Sequence, residues 1–367
     1  MKFQQMETEK GILQRRNAEG VKAPTVEIPL SALTGLSLLS EQQMPEELIR
    51  IHEGEPFFRW ILNPEDKTYR KLIFDFLQRE GISYRQGADI TVYPTSSRSY
   101  FFVDTKTGKA YTFKTSTDRV GSAMQEKPWE AVEAFDAVTL SEHIAKSALS
   151  RSVLAPDVLA MALGEWAWSL RSYDILANAA VTYEPLFVIF NPEILAEMMR
   201  AHQISDPYLF VKKYIVEPYA RSYAEFVAKT DIVLDSPHSQ NILIQRDRKG
   251  LMTGVFAFRD IGDAFVMRGR RDFMKKLYST ENLQNHLLNW FNLFHMVPTP
   301  SWLNYGNAEG TMRGMVEAYY DSFNQEYYKL TGVKLPSFTG SIAYGQKHFS
   351  LESSVPAKKV LSCDQAL

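Results

Sequence analysis

Two stretches of alternating β-branched and aromatic residues, each folded about a polar cluster ending in glycine, constrain this chain more than any other feature. The first lies within residues 82–117 and turns at Thr105-Lys106-Thr107-Gly108. The second joins Asn241-Ile-Leu-Ile-Gln245 to Thr253-Gly-Val-Phe-Ala-Phe258 through Arg246-Asp-Arg-Lys-Gly250. Glycine there supplies positive φ, so each stretch is predicted to be an antiparallel hairpin. The remaining periodicity is mostly helical. Leu48, Ile51, Phe57, Trp60 and Ile61, then Tyr69, Leu72, Ile73, Phe76 and Leu77, predict two helices within residues 45–81, closed by Gly81. Further helices are expected over 129–150, 193–203, 207–229, 281–297 and 309–331, the third of these interrupted at Pro218. The apolar run Leu186-Phe-Val-Ile-Phe190, stopped by Asn191-Pro192, predicts a buried strand. The expected fold class is α+β, with two β-hairpins or antiparallel sheets flanked by helices.

The domain reading follows from the same pattern. Residues 1–40 show no sustained period and are expected to form an N-terminal arm. Residues 41–150 combine the first helices with the first hairpin, 151–335 form a second lobe, and 336–367, rich in Ser, Gly and Lys, are expected to be an irregular tail. With 45% hydrophobic residues the chain can bury a core, and 41 basic against 43 acidic residues leave a net charge of −2. That balance offers no global attraction to nucleic acid. The single cysteine, Cys363, excludes intrachain disulfides and cysteine-rich zinc sites. No apolar run reaches the ~18 residues of a membrane span. The first ten residues lack a signal-peptide core, so a cytoplasmic location is expected.

Chemistry concentrates beside the hairpins. Folding the second about its turn brings Asn241, and with it His238, to the end where Arg259-Asp260 leaves the sheet. An amide oxygen and a carboxylate suit Mg²⁺, which fills its octahedron with water and substrate phosphates. The alternative is a turn network in which Asn and Asp satisfy backbone groups. In the first hairpin, pairing sets Lys114 nearly opposite Ser99 and hence beside Arg98, behind Ser96 and Ser97. Two cations and several hydroxyls at one sheet end can hold a polyphosphate. The alternative there is an exposed charged face. His286 and His295 lie on an apolar helical stretch and read as packed, and Arg268-Gly-Arg270-Arg271 reads as a solvated cluster.

Taken in order, Ser96-Ser97-Arg98, Lys114, His238-Ser239-Gln240-Asn241 and Arg259-Asp260 resemble the ATP-binding core of the siderophore synthetases that act independently of nonribosomal peptide synthetases, the aerobactin-synthetase type. The resemblance covers roughly residues 90–265 and implies a palm-and-fingers fold that binds ATP and Mg²⁺. It implies an enzyme that adenylates a carboxylate, releases pyrophosphate, and passes the acyl group to an amine or alcohol with release of AMP. It assigns Ser96, Ser97, Arg98, Lys114 and Gln240 to the nucleotide, Asn241 and Asp260 to nucleotide and metal, and His238, Arg98 and Lys114 to catalysis. Partners would be small-molecule carboxylate and amine or alcohol substrates, with neither nucleic acid nor membrane, and a homodimer is the oligomer allowed for. Two positions depart from the family pattern. Gln125 stands where a substrate-contacting arginine is expected, with Arg119 nearby, and Ser236 stands where an acidic residue usually precedes the histidine. Two other classes stay open: a kinase-like phosphotransferase, which also places an Asn before such a hairpin and Asp-x-Gly after it, and a non-catalytic nucleotide-binding descendant.

Overall fold

A computed structural model describes residues 20–95, 98–118, 126–176, 180–234, 239–262, 264–266, 308–335, 341–344 and 347–350. Ser96, Ser97, Arg119, Gln125, Ser236, His238, the 268–271 cluster, the expected helix over 281–297 with His286 and His295, and Cys363 lie outside the described residues. The chain divides into two compact units, one of residues 1–145 with 155–177, the other of residues 146–154 with 178–367. The architecture is mixed α+β, with antiparallel sheet and flanking helices.

In the first unit, β1 (Val21–Pro29), β2 (Thr34–Ser37), β3 (Ile49–His52) and β4 (Glu55–Ile61) precede helix α1 (Thr68–Arg79). Then come β5 (Arg85–Pro94), β6 (Ser99–Val103), β7 (Ala110–Lys114) and helix α2 (Ala131–Ala145). After β8 (Ser152–Leu154), which belongs to the second unit, β9 (Asp157–Leu163) and β10 (Trp166–Ser172) complete a curled sheet of order β2-β9-β10-β7-β6-β5-β1-β4-β3. One face carries an aromatic core in which Phe113 stacks on Tyr100 at 5.4 Å and on Trp168 at 5.6 Å. Offset stacking of this kind adds to the burial of large rings. Helix α1 buries Tyr69, Ile73 and Leu77 and ends where Gly81, at φ +65°, lets the Ile82 N–H reach back to the Leu77 carbonyl.

Two expectations fail here. Residues 21–29, assigned above to an arm, are an interior strand between β4 and β5, with Ala23, Val26 and Ile28 fully buried. Its period is hidden because Pro24 sits at a register shift between Ala23 and Thr25, where a residue without an N–H is tolerated. The first helix expected within 45–81 is instead the hairpin β3–β4. Its two-residue turn uses Glu53 at φ +53° and Gly54 at φ +86°. Two positive φ values match the right-handed strand twist, and that turn outweighs an apolar spacing that happened to fit a helix.

In the second unit, β8 runs parallel to β14 (Met252–Phe258), β11 (Val181–Pro185) and β13 (Ile242–Asp247) complete a sheet of order β11-β13-β14-β8, and β12 (Ile232–Val233) pairs separately with β15 (Phe265–Val266). The run Leu186–Phe190 is a 3₁₀ helix, buried over Leu186–Ile189, rather than the expected strand; a short apolar run bounded by Pro185 and Asn191 fits either shape. Asn191 then caps helix α3 (Pro192–Ala201) by accepting from the Glu193 and Ile194 N–H groups. The 207–229 stretch is α4 (Pro207–Val211), a π-helical segment over Lys212–Val216, and α5 (Glu217–Thr230). The π segment falls just ahead of Pro218, which can neither donate to the preceding turn nor fit against it, so the interruption is where it was expected. Helix α6 (Ala308–Thr331) packs on α5 through Tyr219–Tyr319 and Tyr223–Phe323 contacts at 5.8 and 5.9 Å. The expected irregular tail contains a hairpin, Ser341–Tyr344 paired with Lys347–Ser350. Among the described residues no helix is long and apolar enough to cross a membrane.

Candidate functional site

The first hairpin turns at Gly108, φ +69°, and its register sets Ser99 opposite Lys114, as the sequence predicted. On the other side of β7, Lys114 pairs with Ser169 of β10. Lys114 is only 7% exposed, which overturns the reading of it as a solvated surface lysine. Its Nζ lies 3.7 Å from the centre of the Trp129 ring, and the Arg98 guanidinium lies 5.0 Å from the same ring. Arg98 Nη1 also donates to the Pro128 carbonyl at 2.6 Å. Both cations therefore lie against one indole.

Trp129 was not foreseen, and the segment that carries it explains its position. Thr117 and Lys127 exchange two backbone hydrogen bonds, and the Trp129 carbonyl accepts from the Ala167 N–H at 2.8 Å. Residues 127–130 thus run as a short strap along the sheet end. The Trp129 backbone N–H donates to Ser116 Oγ at 2.8 Å and its indole N–H to Ser169 Oγ at 3.0 Å. A tryptophan between a proline and a helix start carries no sequence mark of this role; only the pairing brings it to Lys114.

At the start of α1 lies a pair of buried carboxyls, Asp66 and Asp118, hydrogen-bonded to each other. Asp66 accepts from the Tyr69 and Arg70 N–H groups, and Asp118 from those of Lys67 and Thr68 and from the Thr68 hydroxyl. Burial, joined by the facing Asp118, raises the Asp66 pKa to about 6. Burial also pushes Asp118 up, but its hydrogen bonds, chiefly from Thr68, outweigh this and hold it below the ordinary value. A raised carboxyl pKa stabilises the fold most below the ordinary value of 3.8, and that contribution is lost as pH rises through about 6. Asp66→Asn gives up one of the two acceptor oxygens at the start of α1, but it should compare with wild type more favourably at pH 8 than at pH 5, by about 1–2 kcal/mol. Denaturant titrations at the two pH values check this, and an equal effect at both would refute the raised Asp66 pKa.

In the second unit the hairpin end is built as the sequence predicted. The Arg259 N–H donates to the Asn241 carbonyl at 3.1 Å, which puts Asp260 one residue beyond Asn241's partner. Arg259, 5% exposed, also donates through Nε and Nη2 to the Gln240 carbonyl at 3.1 and 2.7 Å. Its role here is to hold the Gln240–Asn241 backbone, a part the sequence motif did not distinguish. Asp260 adopts φ +63°, an uncommon left-handed conformation that ends β14 at this rung. Ser239 is fully buried, and its hydroxyl has no hydrogen-bond partner among the described residues. Among those residues, no group of three or more His, Cys, Asp or Glu side chains is arranged to hold a metal. Asn241 and Asp260 carry an amide and a carboxylate oxygen, the donor types that Mg²⁺ takes beside water and phosphate oxygens.

No family model matches the chain, and no curated protein matches it by sequence. Solved structures do match. The ATP-bound aerobactin synthetase IucA from Klebsiella pneumoniae aligns with a TM-score of 0.58 at 15% identity, covering 88% of this chain and 64% of that one. The petrobactin biosynthesis protein AsbB from Bacillus anthracis aligns with a TM-score of 0.58 at 14% identity, covering 85% and 61%. Aerobactin synthetase IucC from K. pneumoniae gives 0.57 at 10% identity, covering 86% and 64%. In each case this chain spans less than two thirds of the solved protein's length. Over most of its own length, then, the chain has the fold seen in these siderophore-biosynthesis proteins.

Proposed function

We propose that the protein is an ATP- and Mg²⁺-dependent synthetase of the siderophore type, with a palm-and-fingers arrangement, that joins a carboxylate to an amine or alcohol. The observation that carries this reading is the Lys114–Arg98 pair gathered on Trp129, in a fold shared with a synthetase solved with ATP bound. Cations held in place beforehand stabilise a polyphosphate without reorganisation at the moment of reaction. Lys114 and Arg98 would bind phosphate oxygens, with Ser96 and Ser97 beside them in sequence. Asn241 and Asp260 would hold Mg²⁺, which when bound offsets phosphate charge. His238 would meet the reacting carboxylate.

In this reading a carboxylate oxygen attacks the α-phosphorus, forming an acyl adenylate and releasing pyrophosphate. An amine or hydroxyl then attacks the acyl carbon, loses its proton, and expels AMP. The kinase-like alternative uses the same residues but leads to ADP, because which phosphorus faces the acceptor is not dictated by Lys114 or Asn241. Incubating the full chain with ATP, Mg²⁺ and a panel of polycarboxylates with amines and alcohols, followed by nucleotide chromatography, tests the reading. AMP with pyrophosphate, dependent on both substrates and lost with chelator, is expected. Substrate-dependent ADP without AMP would overturn the ligase assignment.

A further inference from the structure

We propose that Trp129 is a positioning residue that holds the side chains of Lys114 and Arg98 as a pair for an anionic ligand; the ligand's identity as ATP rests on the proposed function above. Like charges close together repel, and each side chain has several rotamers, so two neighbouring cations tend to spread into solvent. The indole opposes this. Its ring lies 3.7 Å from Lys114 Nζ and 5.0 Å from the Arg98 guanidinium carbon, and its electron-rich face attracts both.

The ring is itself fixed. Its N–H is anchored on Ser169 Oγ, its backbone is tied to Ser116 Oγ and to the Ala167 N–H, and its apolar edge packs with Ala134, Val138, Ala160 and Ala167. Ser169 is the residue paired with Lys114 across the strands, so one rung of the sheet places both the lysine and the anchor of the ring beneath it. Arg98 is tied to the same strap through the Pro128 carbonyl. A buried indole N–H takes a partner in any role, but a tryptophan needed only for packing does not require two cations against its ring.

The full chain carrying ¹³C-labelled lysine provides the test. A lysine Cε–H signal shifted upfield by the indole ring current is expected in the wild type, absent from Lys114→Arg and from Trp129→Leu, and weaker but present in Trp129→Phe. Ser169→Ala, which frees the indole N–H while sparing the packing, should also reduce that shift. Affinity for Mg·ATP, and for inorganic triphosphate as a second probe, should fall roughly tenfold in Trp129→Leu and about threefold in Trp129→Phe and Ser169→Ala. Should Trp129→Leu fail to fold, the latter two variants decide the matter. A lysine signal indifferent to Trp129→Phe and Ser169→Ala, or wild-type affinity for both probes in these folded variants, would overturn the proposal. A wild type that shows the shifted signal and binds triphosphate but not Mg·ATP would overturn the ATP reading alone and leave the positioning role supported.

Discussion

Lys114→Ala is expected to weaken Mg·ATP binding by about a hundredfold or more while the protein keeps its circular dichroism and its unfolding midpoint within a few degrees. The expected loss reflects a charge contact in a sheltered place. Lys114 is 7% exposed, and removing one partner of a desolvated charge contact costs about 2–5 kcal/mol. The fold should survive because the aromatic core lies on the other set of alternating positions, Tyr111 and Phe113, and the hairpin register is carried by backbone pairing and by Gly108. Isothermal calorimetry against Mg·ATP is the check. Undiminished affinity in the folded variant would remove Lys114 from the nucleotide site and return it to a packing role beside Trp129. Arg98→Ala should act in the same direction with a smaller effect, since Arg98 is less buried and spends part of its hydrogen bonding on the Pro128 carbonyl.

The largest expected change in stability comes from Glu225, which has no assigned part at the nucleotide. Its buried carboxylate accepts from the Ser150 N–H and hydroxyl, the Arg151 N–H and Lys229 Nζ at 2.6–3.1 Å. It thereby fastens residues 146–154 onto α5, in the stretch where the chain crosses into the second unit before returning to the first. Burial alone would raise its pKa, but these hydrogen bonds, led by Ser150, bring it down to about 2. A depressed carboxyl contributes stability that is present above the ordinary value of 4.5 and is lost as pH falls through about 2. Glu225→Gln keeps the shape but offers one acceptor oxygen and an amide donor to groups that are themselves donors. It should cost about 2–4 kcal/mol at pH 7, with the difference from wild type narrowing as pH falls toward 3. Denaturant titrations at pH 7 and pH 3 measure it. A variant as stable as wild type at pH 7 would show that the clasp is not what holds residues 146–154.

How much of this was legible beforehand can be judged from particular residues. Local chemistry was enough for the two hairpins, because Gly108 and Gly250 mark turns whatever surrounds them, and a turn position together with a period of two determines which residues face each other across the strands. Hence Ser99 against Lys114 could be written down from the sequence, whereas in the second hairpin only the shared end of Asn241 and Asp260 could, because a register shift between Ile244 and Arg246 is what carries Asn241 to Arg259. Helix α1, with its closing Gly81, and the break before Pro218 were legible for the same reason: the cause lies within a few residues of the effect. The interior strand Val21–Pro29 was not, since its burial on both faces depends on β4 and β5, distant in sequence, and Pro24 hides its period. The β3–β4 hairpin was missed because an apolar spacing compatible with a helix drew attention from Glu53-Gly54.

At the candidate site the division is similar. The residue types and order of Arg98, Lys114, Asn241 and Asp260 belong to the sequence, and they were sufficient to suggest phosphate and Mg²⁺ chemistry. Only the tertiary structure brings Trp129, Ser116 and Ser169 to the lysine, sets Arg259 to hold the Gln240 carbonyl, and pairs Asp66 with Asp118. These contacts join residues separated by some 13 to 52 positions. Spacing along the chain carries no information about such pairs, because they meet only after strands far apart have aligned and a sheet has closed the distance.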